Sequence, residues 1–246
     1  MGAGIRPIYT RSLSTASQYR LHVLSIDYRG FGYSTGSPTE DGLITDGLAA
    51  VKWAIDIVGI SPDRIALVGQ SLGTAVIFGV AEALVNPPNA IENDPNRGIE
   101  LGALISIAGF SNMKDLLSTY HIAGFIPILA PLRPYPWLQN FFKGFVCETW
   151  ESSRRLATLV HKSSSKLQLF IIHAHNDMEI PVEHSNYLFH AAVNATIGED
   201  KELSSVDVHS QMSTLNLGAE GYVNTWPEEK CGGKLIQQWV INWGGK

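Results

Sequence analysis

Cysteine is almost absent: Cys147 and Cys231 stand far apart and outside any C-x-x-C pair. Two isolated thiols cannot build a disulfide scaffold. Long apolar runs are missing too. No stretch approaches the ~18 residues that a membrane-spanning helix needs. The opening Met1-Gly2-Ala3-Gly4-Ile5-Arg6 has no apolar signal-peptide core. A basic surplus is also lacking, with 18 Lys and Arg against 23 Asp and Glu, a formal charge of -5. Without a basic stripe to displace counterions, binding along a nucleic-acid backbone is disfavoured, and no nucleic-acid partner is expected. No repeat or low-complexity tract is found.

What is present is the composition of a folded domain. The chain has 246 residues, 45% of them apolar, which suits one large α/β unit with a substantial core. Residues 21–27 (LHVLSID) form a continuous aliphatic run, as expected of a buried parallel strand, and end in the glycine-punctuated Tyr28-Arg29-Gly30-Phe31-Gly32. A helix is expected next, with Ser37 as N-cap, Pro38 at its first position and Glu40 closing a capping box. Ile44, Leu48, Val51, Ile55 and Val58 supply its apolar stripe, and Gly59 stops it. Further strands are expected at residues 64–68, 101–108, 167–172 and 235–243. Helices are expected over 74–85 and within 181–194, and a hairpin pairs 212–217 with 222–226. Strands alternating with helices indicate an α/β fold with a mainly parallel sheet and helices on both faces.

Gly69-Gln70-Ser71-Leu72-Gly73 is the segment that carries chemistry. A bare G-x-S-x-G arises by chance in about one chain in ten of this length. Here the serine follows a buried strand by two residues and opens a helix of small residues. That is the setting of a strained strand-to-helix turn that lifts a nucleophilic hydroxyl out of a sheet. Gly69 and Gly73 leave room for tight backbone, and the Leu72 N–H points to where an oxyanion forms.

Taken with Asp27-Tyr28-Arg29-Gly30-Phe31-Gly32-Tyr33-Ser34 and Ser37-Pro38-Thr39-Glu40, this segment resembles the α/β-hydrolases of the monoacylglycerol and lysophosphatidylserine lipase subfamily. The resemblance runs along the chain and is densest over residues 21–85. It implies one domain over residues 1–246, with an apolar, proline-broken cap insertion at about 109–153. It implies hydrolysis of carboxylic esters of monoacyl lipids or lysolipids, with no cofactor. Asp177, in His173-Ala174-His175-Asn176-Asp177-Met178-Glu179-Ile180-Pro181, takes the place of the acid that orients the catalytic histidine. Gly2, or Ala3, takes the place of the second oxyanion donor beside Leu72.

The resemblance also sets what is to be expected at the ends. The family's histidine follows the last strand, where this sequence reads Gly244-Gly245-Lys246. The family's earlier strand, ending in His-Gly, lies upstream of Met1. The chain is therefore expected to be a fragment, truncated at both ends and inactive alone, with His209 the one candidate substitute base. Association with the endoplasmic reticulum membrane, as in the subfamily, would require an upstream anchor. Two rivals remain. One is a non-catalytic module of the same fold that binds an apolar ligand or partner. The other is a zinc metallohydrolase using His173, His175 and Asp177, which match most of an H-x-H-x-D-H ligand run.

Overall fold

The computed structural model describes residue 15 and residues 20–87, 98–119, 121–122, 126–127, 148–197 and 202–243. In chain order the helices are α1 (Glu40–Lys52), α2 (Leu72–Val85), α3 (Met113–Thr119), α4 (Ser152–Lys162), α5 (Glu183–Asn194) and α6 (Ser205–Gln211). The strands are β1 (Ala66–Gln70), β2 (Ala103–Ile107), the two-residue pair β3 (His121–Ile122) and β4 (Ile126–Pro127), then β5 (Gln168–Ala174), β6 (Ser213–Asn216), β7 (Gly221–Trp226) and β8 (Leu235–Ile241). Six of them form one sheet in the order β1-β2-β5-β8-β7-β6. β1, β2, β5 and β8 run parallel, and the β7–β6 hairpin adds antiparallel to β8.

Aliphatic side chains in register explain the pairing. Leu67, Leu104, Leu169 and Ile236 lie in one row across the four parallel strands. They meet Ile77 and Phe78 of α2, Leu156 and Leu159 of α4, and Leu188 and Ala192 of α5 in one core. Each large side chain fully buried there contributes roughly 1.5–3 kcal/mol of transfer free energy. The neighbouring row, on the other face, runs through Val68, Ile105 and Phe170. Among the described residues this face is only half-buried, and Val68 is exposed.

The expected elements appear with shifted ends. The four parallel-sheet runs from residue 64 onward all become strands, and the hairpin forms around a turn at Gly218–Glu220. Gly59, at φ +78, ends a one-turn π-helical continuation of α1 over Trp53–Ile57. Two expectations are corrected. Residues 21–27 form no strand: no ladder joins them to the sheet among the described residues, and Leu21, Val23 and Leu24 are exposed. An extended apolar run becomes a strand only when a neighbouring backbone pairs with it. The helix N-cap is Thr39, not Ser37, since its hydroxyl accepts the Gly42 N–H at 3.1 Å. Glu40 makes no capping box there. Its carboxylate turns inward, accepting from Arg155 at 2.9 Å and from the Trp150 N–H at 3.0 Å.

Candidate active site

The C-terminal ends of parallel strands share one edge of a sheet, where α/β folds place their sites. Ser71 sits in the one-residue turn between β1 and α2, at φ 53 and ψ -122. A side-chain-bearing residue held there costs of order 1–3 kcal/mol. The surroundings fix it: the Ser71 N–H donates to the Ile107 carbonyl at 3.0 Å, and its own carbonyl accepts from the Thr74 N–H at 2.9 Å and hydroxyl at 2.7 Å. The Ser71 side of this turn is exposed. A Cβ on Gly69 would collide with the Gly73 carbonyl and approach the Thr74 nitrogen at 2.8 Å, so only glycine fits. Gly73 differs: a Cβ there meets nothing within 4 Å among the described residues, so the expected steric role belongs to Gly69 alone. The Leu72 N–H opens α2 with no acceptor among the described residues, as the first turn of a helix leaves it.

Asp177 lies in the loop after β5. Its Oδ1 accepts the N–H groups of Glu179 at 2.9 Å and Ile180 at 3.0 Å. This turn is closed from the other side by His173, whose buried Nε2–H donates to the Ile180 carbonyl at 2.8 Å. His173 Nε2 is also 3.9 Å from Asp177 Oδ2. Burial pushes the His173 imidazole below its ordinary value, against the raising influence of the Ile180 carbonyl and the Asp177 and Glu183 charges. Sequence reasoning named His173 only as a metal ligand. Its loop-closing bond joins residues seven apart and has no signature in the sequence.

His184 is buried on α5. Its Nδ1 accepts the Ser111 N–H at 3.3 Å and lies 3.1 Å from the Ser111 hydroxyl. Nδ1 is therefore the unprotonated nitrogen, and burial lowers the affinity of this imidazole for a second proton. Ser111 stands at the base of the expected cap insertion. The two sides of that base are stitched together: Met113 N–H donates to the Thr149 carbonyl and Ser153 N–H to the Ser111 carbonyl, both at 2.9 Å. Residues 120, 123–125 and 128–147 of the insertion lie outside the described residues.

The other named residues separate. His209 is exposed on α6, and no hydrogen bond or ion pair joins it to Ser71 or Asp177. The helix precedes β6, at the sheet edge opposite β1, so the substitute-base expectation for His209 is not met. The zinc reading fails on geometry. His173 is buried with its N–H committed to a carbonyl, His175 two residues on is exposed, and the described residues contain no group of three ligand-type side chains fit to hold a metal. Gly2, Ala3 and residues 244–246 lie outside the described residues. Cys231 is a buried free thiol.

Comparison with known proteins gives the family. A model described as "Alpha/beta hydrolase family" matches residues 2–213. The chain belongs to the alpha/beta hydrolase family. Among curated relatives of this family, human "Protein ABHD12B" is 32% identical over 179 residues, covering 71% of this chain and 42% of that protein. Bovine "Lysophosphatidylserine lipase ABHD12" is 28% identical over 191 residues, covering 78% of this chain and 43% of that protein. The chain thus spans less than half the length of these relatives. A solved alpha-beta hydrolase from Vibrio vulnificus, 16% identical, superposes with a TM-score of 0.50 over 68% of this chain and 50% of its own. That likeness concerns the fold: a mixed, mostly parallel sheet with helices, as an alpha/beta hydrolase has.

Proposed function

We propose that this chain is the catalytic core of a serine hydrolase acting on carboxylic esters of monoacyl lipids, lysolipids among them. The supporting observation is Ser71 at φ 53, exposed between a parallel strand and the N-terminus of α2. Strain of that kind persists only where surrounding structure over-determines it, and such residues cluster at functional sites. The relatives named as lysophosphatidylserine lipases support the choice of a lipid ester.

In this reading Ser71 Oγ attacks the acyl carbonyl and its proton passes to an imidazole. The carbonyl electrons move to oxygen, where the Leu72 N–H stabilises the charge, with Gly2 as second donor. The bond to the alcohol breaks, and the imidazolium returns the proton to that alcohol. Water then attacks the acyl-serine by the same route and releases the fatty acid. Asp177 orients the imidazole and stabilises it when charged. No cofactor enters. Among the described side chains no imidazole is hydrogen-bonded to Ser71 or Asp177, so the chain by itself is proposed to turn over slowly.

The same observation favours a second reading, a non-catalytic module that binds an apolar ligand. One experiment separates the two. The chain is incubated with a monoacyl lipid ester and digested, and acyl-peptides are sought by mass spectrometry. An acyl group on the Ser71 peptide, absent in Ser71→Ala, is expected for the hydrolase. Lipid bound without any acyl-peptide, or fatty acid released equally by Ser71→Ala, contradicts it.

A further inference from the structure

We infer that His184 is a positioning residue for the reacting serine: its Nδ1 anchors the connector Ala108–Ser111, which braces the turn that holds Ser71. The inference deepens the serine-hydrolase reading above and rests on it.

The connector leaves β2 under strain. Ala108 stands at φ 49, a region that glycine occupies freely and alanine does not. Its near end is fixed by the ladder, since the Ala108 N–H donates to the Ile172 carbonyl at 2.9 Å. Gly109 then passes through a narrow gap. A Cβ there would lie 2.7 Å from Ser106 Oγ, 3.0 Å from Leu188 Cδ1 on α5 and 3.1 Å from Thr74 Oγ1 on α2. Thr74 holds the Ser71 carbonyl, and the Ile107 carbonyl just before the connector accepts the Ser71 N–H. Both grips on Ser71 thus border the connector. Strain of the Ala108 kind persists only while the far end is held as well.

His184 holds that far end. Its Nδ1 accepts the Ser111 N–H at 3.3 Å and lies 3.1 Å from the Ser111 hydroxyl, while the Ser111 carbonyl accepts the Ser153 N–H at 2.9 Å. Ser111 and His184 are both buried, so losing the acceptor leaves the Ser111 N–H unsatisfied. A proton on Nδ1 reverses the contact. The hydroxyl can turn and accept instead, but the Ser111 N–H then faces another N–H. The groups acting on the ring are Asp115 on α3 and Glu183 on α5, which favour a proton, and His173 at the end of β5, which opposes one. Tyr187, also on α5, stands edge-on to the ring at 6.2 Å. Burial outweighs the two carboxylates, so the anchor is intact near neutrality and is released in mild acid.

The test follows two readouts in the full chain. One is deuterium uptake, corrected for intrinsic exchange, in the peptide that contains Ser111. The other is the rate at which a fluorophosphonate bonds to Ser71, fluoride leaving and the hydroxyl proton passing to solvent. His184→Leu removes the acceptor, whereas the amide oxygen of His184→Asn takes the Nδ1 position and does not titrate. At about pH 7.5 His184→Leu is expected to label roughly tenfold more slowly, the worth of one buried hydrogen bond, and His184→Asn to recover most of that rate. Between about pH 7.5 and about pH 5 the unsubstituted chain is expected to slow roughly tenfold relative to His184→Asn, with uptake at Ser111 rising in step. A ratio that stays constant with pH overturns the inference. So does a His184→Asn rate as low as that of His184→Leu, a His184→Leu rate equal to the unsubstituted one, or slowing without faster exchange at Ser111. Should His184→Leu fail to melt cooperatively, the pH ratio against His184→Asn decides alone. Label absent from Ser71 in the unsubstituted chain at every pH strikes the serine reading itself, and exchange that still tracks His184 tells that failure apart.

Discussion

Ser71 shows how one residue exchanges stability for reactivity. Its φ of 53 is a region that glycine occupies without strain. Ser71→Gly should therefore unfold at higher denaturant than Ser71→Ala, by about 1 kcal/mol, while neither variant forms a covalent adduct. Equal stability of the two would remove the strain from the account. His173 and His184 make a second trade at the same scale. Both are buried and held below their ordinary affinity for protons, chiefly by burial. Below about pH 6.5 the unfolded chain takes up protons that the folded one refuses. Their contribution to stability is thus full above that value and lost as pH falls toward each lowered folded value. Denaturant melts at about pH 7.5 and about pH 5.5 should show the loss. The loss should shrink in His184→Asn, and a pH-independent stability would contradict it.

Among the elements, α1, α2 and α4 are joined by a partly buried ion network. Arg155 on α4 reaches Glu40 on α1 at 2.9 Å and Glu82 on α2 at 3.1 Å. Glu40 in turn accepts the Trp150 N–H, and its own N–H donates to Glu148, which ties the far side of the cap base to the start of α1. Arg155→Ala leaves Glu40 without its cation and Glu82 with only the more exposed Arg154 at 3.6 Å, and should cost about 3 kcal/mol in a chemical melt. Arg155→Ala combined with Glu40→Gln and Glu82→Gln should recover part of that loss, and no recovery would contradict the electrostatic explanation. Nothing in the sequence announced this network. Glu40 satisfied a capping-box spacing, and only the fold revealed that a distant guanidinium competes for its carboxylate. Local rules identified Thr74–Val85 as helical because small residues and the preceding turn act over a few positions. They misread residues 21–27, because strand formation depends on a neighbour that hydropathy cannot see. The shifted ends of β1 and β5 have the same cause: ladder pairing, not side-chain type, decides where a strand stops.

At the scale of the whole molecule, the sheet order puts β1, β2 and β5 side by side, so loops distant in sequence meet at one edge. That is why Ser71 was legible while its surroundings were not. The turn at Ser71 is encoded by Gly69, the strand before it and the helix after it. The closing of the Asp177 loop by His173, and the grip of His184 on Ser111, exist only once the strands are in register. The most direct measurement of the central claim is peptide mapping after exhaustive reaction of the full chain with a long-chain alkyl fluorophosphonate. A single phosphonyl group per molecule, on the peptide that contains Ser71, is the predicted result. Adducts spread over other serines, or an unmodified Ser71 after prolonged exposure, would contradict it.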